Sequence, residues 1–314
     1  VRHLLKTTVG QTAAGNKTLR KRNREAWYGY LFASPVILGF LIFVLGPIIF
    51  SLIISFTDYN IISSMEFVGL DNYRNLFDGT DPFFYKSFSV TAYYVFLSVP
   101  LQILVAFMLA VLLNQNVRWR AIFRTIFYLP TIVPVVASSF IFMWLFNPDL
   151  GLLNTFLNAI GLPKLDWIYS ESQAVPSLVL MSLWTVGGPM VIFLAGLQGI
   201  PKHLYEAIDV DGGKAHHKMF YITIPMMTPT IFFNAVMGFI GSFQVFSQAY
   251  IMTEGGPNNA TLFYSYYIYR EAFQFMRMGS AAAISWILFF VILALTLLIF
   301  KSSAFWVYQE SEGK

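Results

Sequence analysis

The sequence predicts an all-α integral membrane protein with six transmembrane helices and both termini on the cytoplasmic side. Three observations predict it. Hydrophobic residues fill 57% of the 314 positions and charged residues only 11%, with a mean hydropathy of +0.62. That is more apolar surface than a water-soluble fold covers. Six stretches lack any Lys, Arg, Asp or Glu: 26–57, 87–117, 125–148, 172–201, 219–253 and 278–300. Each is long enough to span, since crossing the hydrocarbon takes about 20 apolar residues. Finally, the basic residues alternate between connecting segments. With the termini inside, the tail, Arg118, Arg120, Arg124, Lys202, Lys214, Lys218, Lys301 and Lys314 outnumber the outer Arg74, Lys86, Lys164, Arg270 and Arg277 three to one. This is the positive-inside pattern.

The elements follow in order. Residues 1–25 form a basic cytoplasmic tail that faces anionic membrane lipid. Topology thus accounts for the net charge of +4, and no nucleic-acid partner is expected. The first apolar run is about twice the length of a signal-peptide h-region and no small-residue cleavage site follows it, so it is expected to stay as a span. Helices are placed near 30–56, 87–113, 125–146, 174–198, 226–250 and 279–300. Between the first two, "FVGLDNYRNLF" (67–77) reads as a short surface helix. Segments 147–173 and 252–278 read as outer loops punctuated by Pro, Gly and Asn. Residues 26–300 make one membrane domain, and 301–314 a cytoplasmic tail. Pro35, Pro47, Pro100, Pro130, Pro134 and the Gly187-Gly188-Pro189 run interrupt the spans. Singly these are kinks or packing sites; together, broken helices are what a transport pathway tends to show.

Several chemistries find no support. The chain has no cysteine, which excludes disulfide and thiolate chemistry. "DGGK" (211–214) lacks the glycine and the Ser or Thr of a phosphate-cradling loop. His216 and His217 are adjacent but have no third ligand nearby, so no metal site is expected. No nucleophile elbow occurs, and the sequons at Asn16 and Asn259 read as chance matches. A membrane enzyme acting on lipid or glycan would need convergent acids and bases that are not found. The uncharged spans also disfavour a proton- or ion-coupled carrier. Energy for any transport is therefore expected from another subunit.

One inner segment stands apart: "EAIDVDGGKAHHKMFYITIPMMTP", 206–229. "PKHLYEAIDV" (201–210) supports about three helical turns, with Pro201 in the first turn. Leu204, Ala207, Ile208 and Asp211 share one face. Gly212-Gly213 ends the helix, because glycine takes the left-handed C-cap conformation cheaply. A second short segment presents Phe220, and Pro225 and Pro229 open the next span, where a missing N–H costs least. A lever of this shape can pass a partner's movement to the spans; a plain interfacial amphipathic helix is the alternative.

The pattern resembles the EAA loop of permease subunits in bacterial ABC importers. Glu206, Ala207, Asp211, Gly212, Phe220, Pro225 and Pro229 fit; Ile208 and Gly213 stand where the pattern has Ala. "LWTVGGPMVIFLAGLQGIP" (183–201), "YIMTEGGPNNATLFYSYYIYREAF" (250–273) and the 30–59 stretch resemble the carbohydrate-uptake branch, of maltose and glycerol-phosphate type. The resemblance covers about residues 30 to 300. It implies a type I importer permease fold in a bacterial or archaeal cytoplasmic membrane. It also implies a coupling loop over 201–225, two cytoplasmic ATPase subunits, a second permease subunit, an extracytoplasmic solute-binding protein and a sugar substrate. ATP and Mg would be held by the ATPases, with no cofactor on this chain. Glu206 would contact the ATPase and Gly212 would let it approach closely.

The fifth helix carries a candidate substrate path. Asn234, Gly238, Gly241, Gln244 and Gln248 are spaced 4, 3, 3 and 4. At 100° per residue they share one face about 120° wide. Such a stripe is either helix packing with polar glue or a wall of donors and acceptors for a hydroxyl-rich solute. Ser182 and Trp184 are the matching candidates on the fourth helix. A stand-alone carrier or channel for small polar solutes is the remaining alternative.

Overall fold

The structure, a computed structural model, describes residues 27–62, 64–115 and 118–308. The basic tail 1–25, with its sequon at Asn16, lies outside the described residues, as does Lys314.

The apolar runs become helices because lipid offers their backbone groups no hydrogen-bond partner. α1 (Trp27–Ile54) has no buried residue in its most apolar window. A two-residue hairpin, β1 (Thr57–Asp58) and β2 (Glu66–Phe67), pairs antiparallel and leads to α2 (Asp71–Phe77), the expected surface helix. α3 (Pro82–Asn114) starts earlier than expected, because Asp81 caps it through Phe83 N at 2.8 Å and Pro82 occupies the first turn. α4 (Arg120–Ile132), α5 (Val135–Leu145), α6 (Leu152–Ala159), α7 (Ala174–Ser182), α8 (Gly187–Gly199) and α9 (Lys202–Val210) follow. α10 (Ala215–Phe243), α11 (Tyr264–Tyr269) and α12 (Met278–Trp306) complete the fold.

Among the described residues four helices are long and apolar enough to cross a membrane: α1, α3, α10 and α12. The expected third span is not one helix. α4 and α5 meet at 99°, at Val133-Pro134. A residue before proline is forced out of the helical region, and Val133 is extended at ψ 128°. The fourth is likewise bent, by 49°, between the turn ending α7 at Thr185 and α8. Counting each bent pair as one span gives up to six. The fifth helix is shifted from 226–250: α10 begins at Ala215 and ends at Phe243, so Pro225 and Pro229 lie within it rather than opening it. α12 runs on through Lys301 to Trp306, into the segment expected as tail.

The largest correction concerns 252–278, expected as an outer loop. Leu262, Phe263, Tyr264 and Tyr267 there are among the most buried side chains of the protein. Tyr264 N–H donates to Thr91 Oγ1 (2.8 Å) on α3, its hydroxyl to the Ile284 carbonyl (3.2 Å) on α12, and the Tyr267 hydroxyl to Asp81. α11 thus fills the space between two spans.

α3 is the central post and packs against α7, α8, α10 and α11. Two apolar cores lie along it. One surrounds Phe84, Val95 and Val99 with the tyrosines of α11; the other joins Ala106, Ala110 and Leu113 to Phe193, Leu197 and Ile222.

Candidate functional site

Three helix breaks meet beside α3. Val133 and Val135 flank the first, Thr185 closes the second and Val245 lies just past the end of α10. All four residues line one cavity of about 500 Å³. Where a helix bends away it leaves both space and backbone unoccupied by packing. On α3 the cavity reaches Tyr94 and Gln102. At 1.5 Å per residue these lie about 18 and 30 Å from Pro82, on a helix roughly 50 Å long. The cavity therefore sits near the middle of the length of α3.

No lining residue is charged. The polar lining is made of hydroxyls and amides: Tyr94, Gln102, Thr131, Ser138, Ser182 and Gln248 among them. Such groups donate and accept without demanding a counter-ion. The Ser182 hydroxyl already bonds the Val179 carbonyl at 2.6 Å. The Ser138 hydroxyl is buried and has no hydrogen-bond partner among the described residues. An orphan donor is costly unless something binds it. Trp184 sets an aromatic edge, packed on Phe142 at 5.9 Å between centroids.

Of the seven residues expected on the path, Ser182, Trp184, Gly238, Gly241 and Gln248 share this cavity. Asn234 lines an adjoining cavity of about 350 Å³ that shares Gln102, Met237 and Gly238 as its wall, and its amide donates to the Thr230 carbonyl at 2.9 Å. Gln244 does not line it: α10 ends one residue earlier, so the helical phase that would align it is lost. Gln248 reaches the cavity from beyond the break, not along the predicted stripe. Tyr94, Gln102, Thr131 and Ser138 were not anticipated. Their only sequence signal is a polar group inside an uncharged run.

The second site is the loop at the other end of α3. α9 ends in a Schellman motif: Gly213 N–H donates to the Ile208 carbonyl (2.8 Å) and Gly212 N–H to the Asp209 carbonyl (3.1 Å), with Gly212 at φ +74°. Pro201 is its N-cap rather than a first-turn residue. Leu204, Tyr205 and Ile208 pack onto the second core, while Glu206, Ala207 and Asp211 are exposed. The expected grouping of Ala207 and Asp211 with Leu204 and Ile208 is therefore split, with Tyr205 supplying the buried side instead. Val210 (88% exposed), Phe220 (65%) and Tyr221 (74%) add exposed apolar surface around the wedge that α9 forms. Lys218 Nζ holds the Asp209 carboxylate at 2.6 Å, and the Tyr205 and Thr223 hydroxyls meet at 3.1 Å. Both contacts fasten α9 to α10, and α10 continues without a break to Gly238 and Gly241 in the cavity wall. Pro225 is partly buried within α10 and belongs to this shaft, not to the exposed wedge.

Among the described residues no group of three His, Asp or Glu side chains is placed to hold a metal ion.

An uncharged cavity with hydroxyl and amide groups in a partly apolar wall, midway along a bundle of broken helices and joined by one continuous helix to an exposed wedge, has the form of a solute permease. Residues 102–309 match the family of binding-protein-dependent transport system inner membrane components, and the chain belongs to that family. Its relatives include a probable ABC transporter permease protein, YesP, of Bacillus subtilis, 40% identical over 97% of this chain and 99% of the relative. The arabinooligosaccharides transport system permease protein AraP of Halalkalibacterium halodurans is 33% identical over 88% of this chain and 87% of its own. Among solved structures, a chain of a bacterial alginate ABC transporter, crystallised with an alginate pentasaccharide-bound periplasmic protein, superposes with a TM-score of 0.80. It is 26% identical, over 90% of this chain and 96% of that one.

Proposed function

We propose that the chain is the non-catalytic, membrane-spanning subunit of an ATP-driven importer of sugars, of type I fold, with six spans and both termini in the cytoplasm. Residues 1–25 are its cytoplasmic tail, 26–300 its membrane domain and 301–314 its C-terminal tail. The cavity is the translocation path, opened alternately to each side. Glu206, Ala207, Asp211, Gly212 and Phe220 form the wedge that docks on a cytoplasmic ATPase, with Pro225 in the shaft behind them. ATP and Mg belong to two such ATPases; a second permease subunit completes the path and an extracytoplasmic binding protein supplies the solute.

The observation that carries this reading is the unbroken α10, which ties the exposed wedge to the cavity wall. Movement imposed on α9 reaches Gly238 and Gly241 as a rigid displacement. A neutral lining of hydroxyls, amides and one tryptophan edge suits a polyhydroxylated solute, and relatives named for arabinooligosaccharides and alginate support that class. Within the wedge, Gly212 has open space around it, as a close-docking surface requires. The alternative, a stand-alone carrier or channel, gives the wedge no role.

The test is a gentle detergent pull-down of the tagged chain from native membranes. Recovery of an ATPase and a second permease is the expected outcome, lost with Gly212→Asp. Reproducible recovery of the folded chain alone, or intact assembly of Gly212→Asp, overturns the coupling role.

A further inference from the structure

A second cavity of about 500 Å³ lies at the end of α3 opposite the wedge. It is walled by β1, α2, the start of α3 and the turn that leads into α12. Four of its lining residues are acids, Asp58, Asp71, Asp81 and Glu271, against one base, Arg277. Asp71 has an exposed partner in Arg74 at 3.4 Å, and Asp81 is occupied by Phe83 N and the Tyr267 hydroxyl. Glu271 is different. Its side chain is 2% exposed, yet Oε2 accepts no hydrogen bond among the described residues, and the exposed Arg277 Nη1 stands 3.8 Å away. Arg277 is an ion-pair partner held beyond hydrogen-bond reach, and a buried carboxylate oxygen left without a donor favours a further cation that can reach it. The acids are not grouped tightly enough to ligate one metal ion. The cation they fit is extended and carries its own N–H donors.

We propose that this pocket receives a lysine or arginine side chain of the extracytoplasmic solute-binding protein. The inference rests on the importer reading, which puts that protein on the face opposite the wedge. Charge complementarity chooses the occupant: a pocket with four acids against one base attracts a basic partner surface and fixes its register. A guanidinium or ammonium reaching Glu271 Oε2 supplies the missing donor.

The test uses the assembled importer in nanodiscs with its own binding protein, reading ATPase stimulation against binding-protein concentration. Asp58→Lys and Glu271→Gln are each expected to raise the half-maximal concentration at least tenfold, and to weaken its salt dependence, while the rate at saturation is retained. Asp58 is exposed, so Asp58→Lys reports on the charge of the pocket independently of the buried Glu271. Unchanged half-maximal concentrations in both variants overturn the proposal. So does a pocket that responds only to free L-arginine amide, which would make it a site for a small organic cation. If the wild-type importer is not stimulated by any binding protein, the importer reading itself fails and the docking site falls with it.

Discussion

Gln244 and Gln248 carry the same amide four residues apart, yet only Gln248 lines the cavity. Gln248→Ala should therefore raise the KM for uptake by roughly 5- to 10-fold, the worth of one hydrogen bond of about 1 kcal/mol. Gln244→Ala should leave it unchanged, and uptake kinetics of the two variants check both. Ser138 tests the site in a different way. Because its hydroxyl is buried without a partner, Ser138→Ala removes an unmet donor and should leave the melting temperature equal or higher, while uptake weakens. A role in packing alone would move stability and not KM. Glu271 gives a pH signature. Burial, opposed by Arg277 and reinforced by Asp81, raises its carboxyl above the ordinary 4.5. The folded state then holds a proton that the unfolded state has lost, so stability falls as pH rises from about 4.5 through the raised value. Glu271→Gln should flatten that part of a melting-versus-pH curve and be the more stable form at neutral pH. An unchanged slope would show that the Glu271 proton is not linked to folding.

At the scale of elements, proline placement explains two irregular turns. Pro47 and Pro225 each clash with the carbonyl four residues back, at Phe43 and Tyr221. Those residues are the centres of the π-turns Leu41–Leu45 and Met219–Thr223. In each, the next N–H reaches back five residues, Gly46 to the Leu41 carbonyl and Ile224 to the Met219 carbonyl. The wider turn absorbs the ring and the helix continues. Pro229 is handled otherwise: the Thr228 hydroxyl donates to the Pro225 carbonyl at 2.7 Å, the bond Pro229 has no N–H to make, and accepts Tyr308 N–H at 2.8 Å. Thr228→Val should cost about 1–2 kcal/mol and loosen the shaft that joins wedge to cavity. A lowered melting temperature with uptake reduced more than substrate affinity is the expected pattern. The cap of α9 is the second weak point of the lever. Gly212 sits at φ +74°, and a Cβ placed there would have no neighbour within 4 Å, so Gly212→Val meets backbone strain and no steric clash. Left-handed geometry costs a non-glycine residue roughly 1–2 kcal/mol, and more when it is β-branched. We expect the chain to fold and insert normally while ATPase co-purification drops several-fold. Retained co-purification would mean the cap geometry does not matter for docking.

The whole molecule was legible to the extent that the bilayer dictates it. Uncharged runs had to become helices, so α1, α3, α10 and α12 were readable from composition, as was the exposed wedge from its two glycines. What was missed depends on partners distant in sequence. The 252–278 segment carries turn signals at Gly255-Gly256-Pro257 and Asn258-Asn259, and its tyrosines are buried only because Thr91, Asp81 and Ile284 wait for them across the fold. The cavity was half visible for the same reason: residues on α10 shared a period, but Tyr94, Thr131 and Ser138 converge through helix breaks whose angles no periodicity encodes. Orientation is the last property the charge pattern alone carries, and the absence of native cysteine makes it directly measurable. Ile62 is 91% exposed on the segment after α1, Val210 88% exposed on the wedge and Phe305 90% exposed at the end of α12. Each tolerates a small side chain, because none is packed. In intact cells a membrane-impermeant maleimide should label Ile62→Cys at once, and Val210→Cys and Phe305→Cys only after permeabilisation. If the pattern is reversed, the wedge faces outward, where no ATPase can reach it, and both the coupling role of α9 and the acidic docking pocket at the opposite end must be abandoned together.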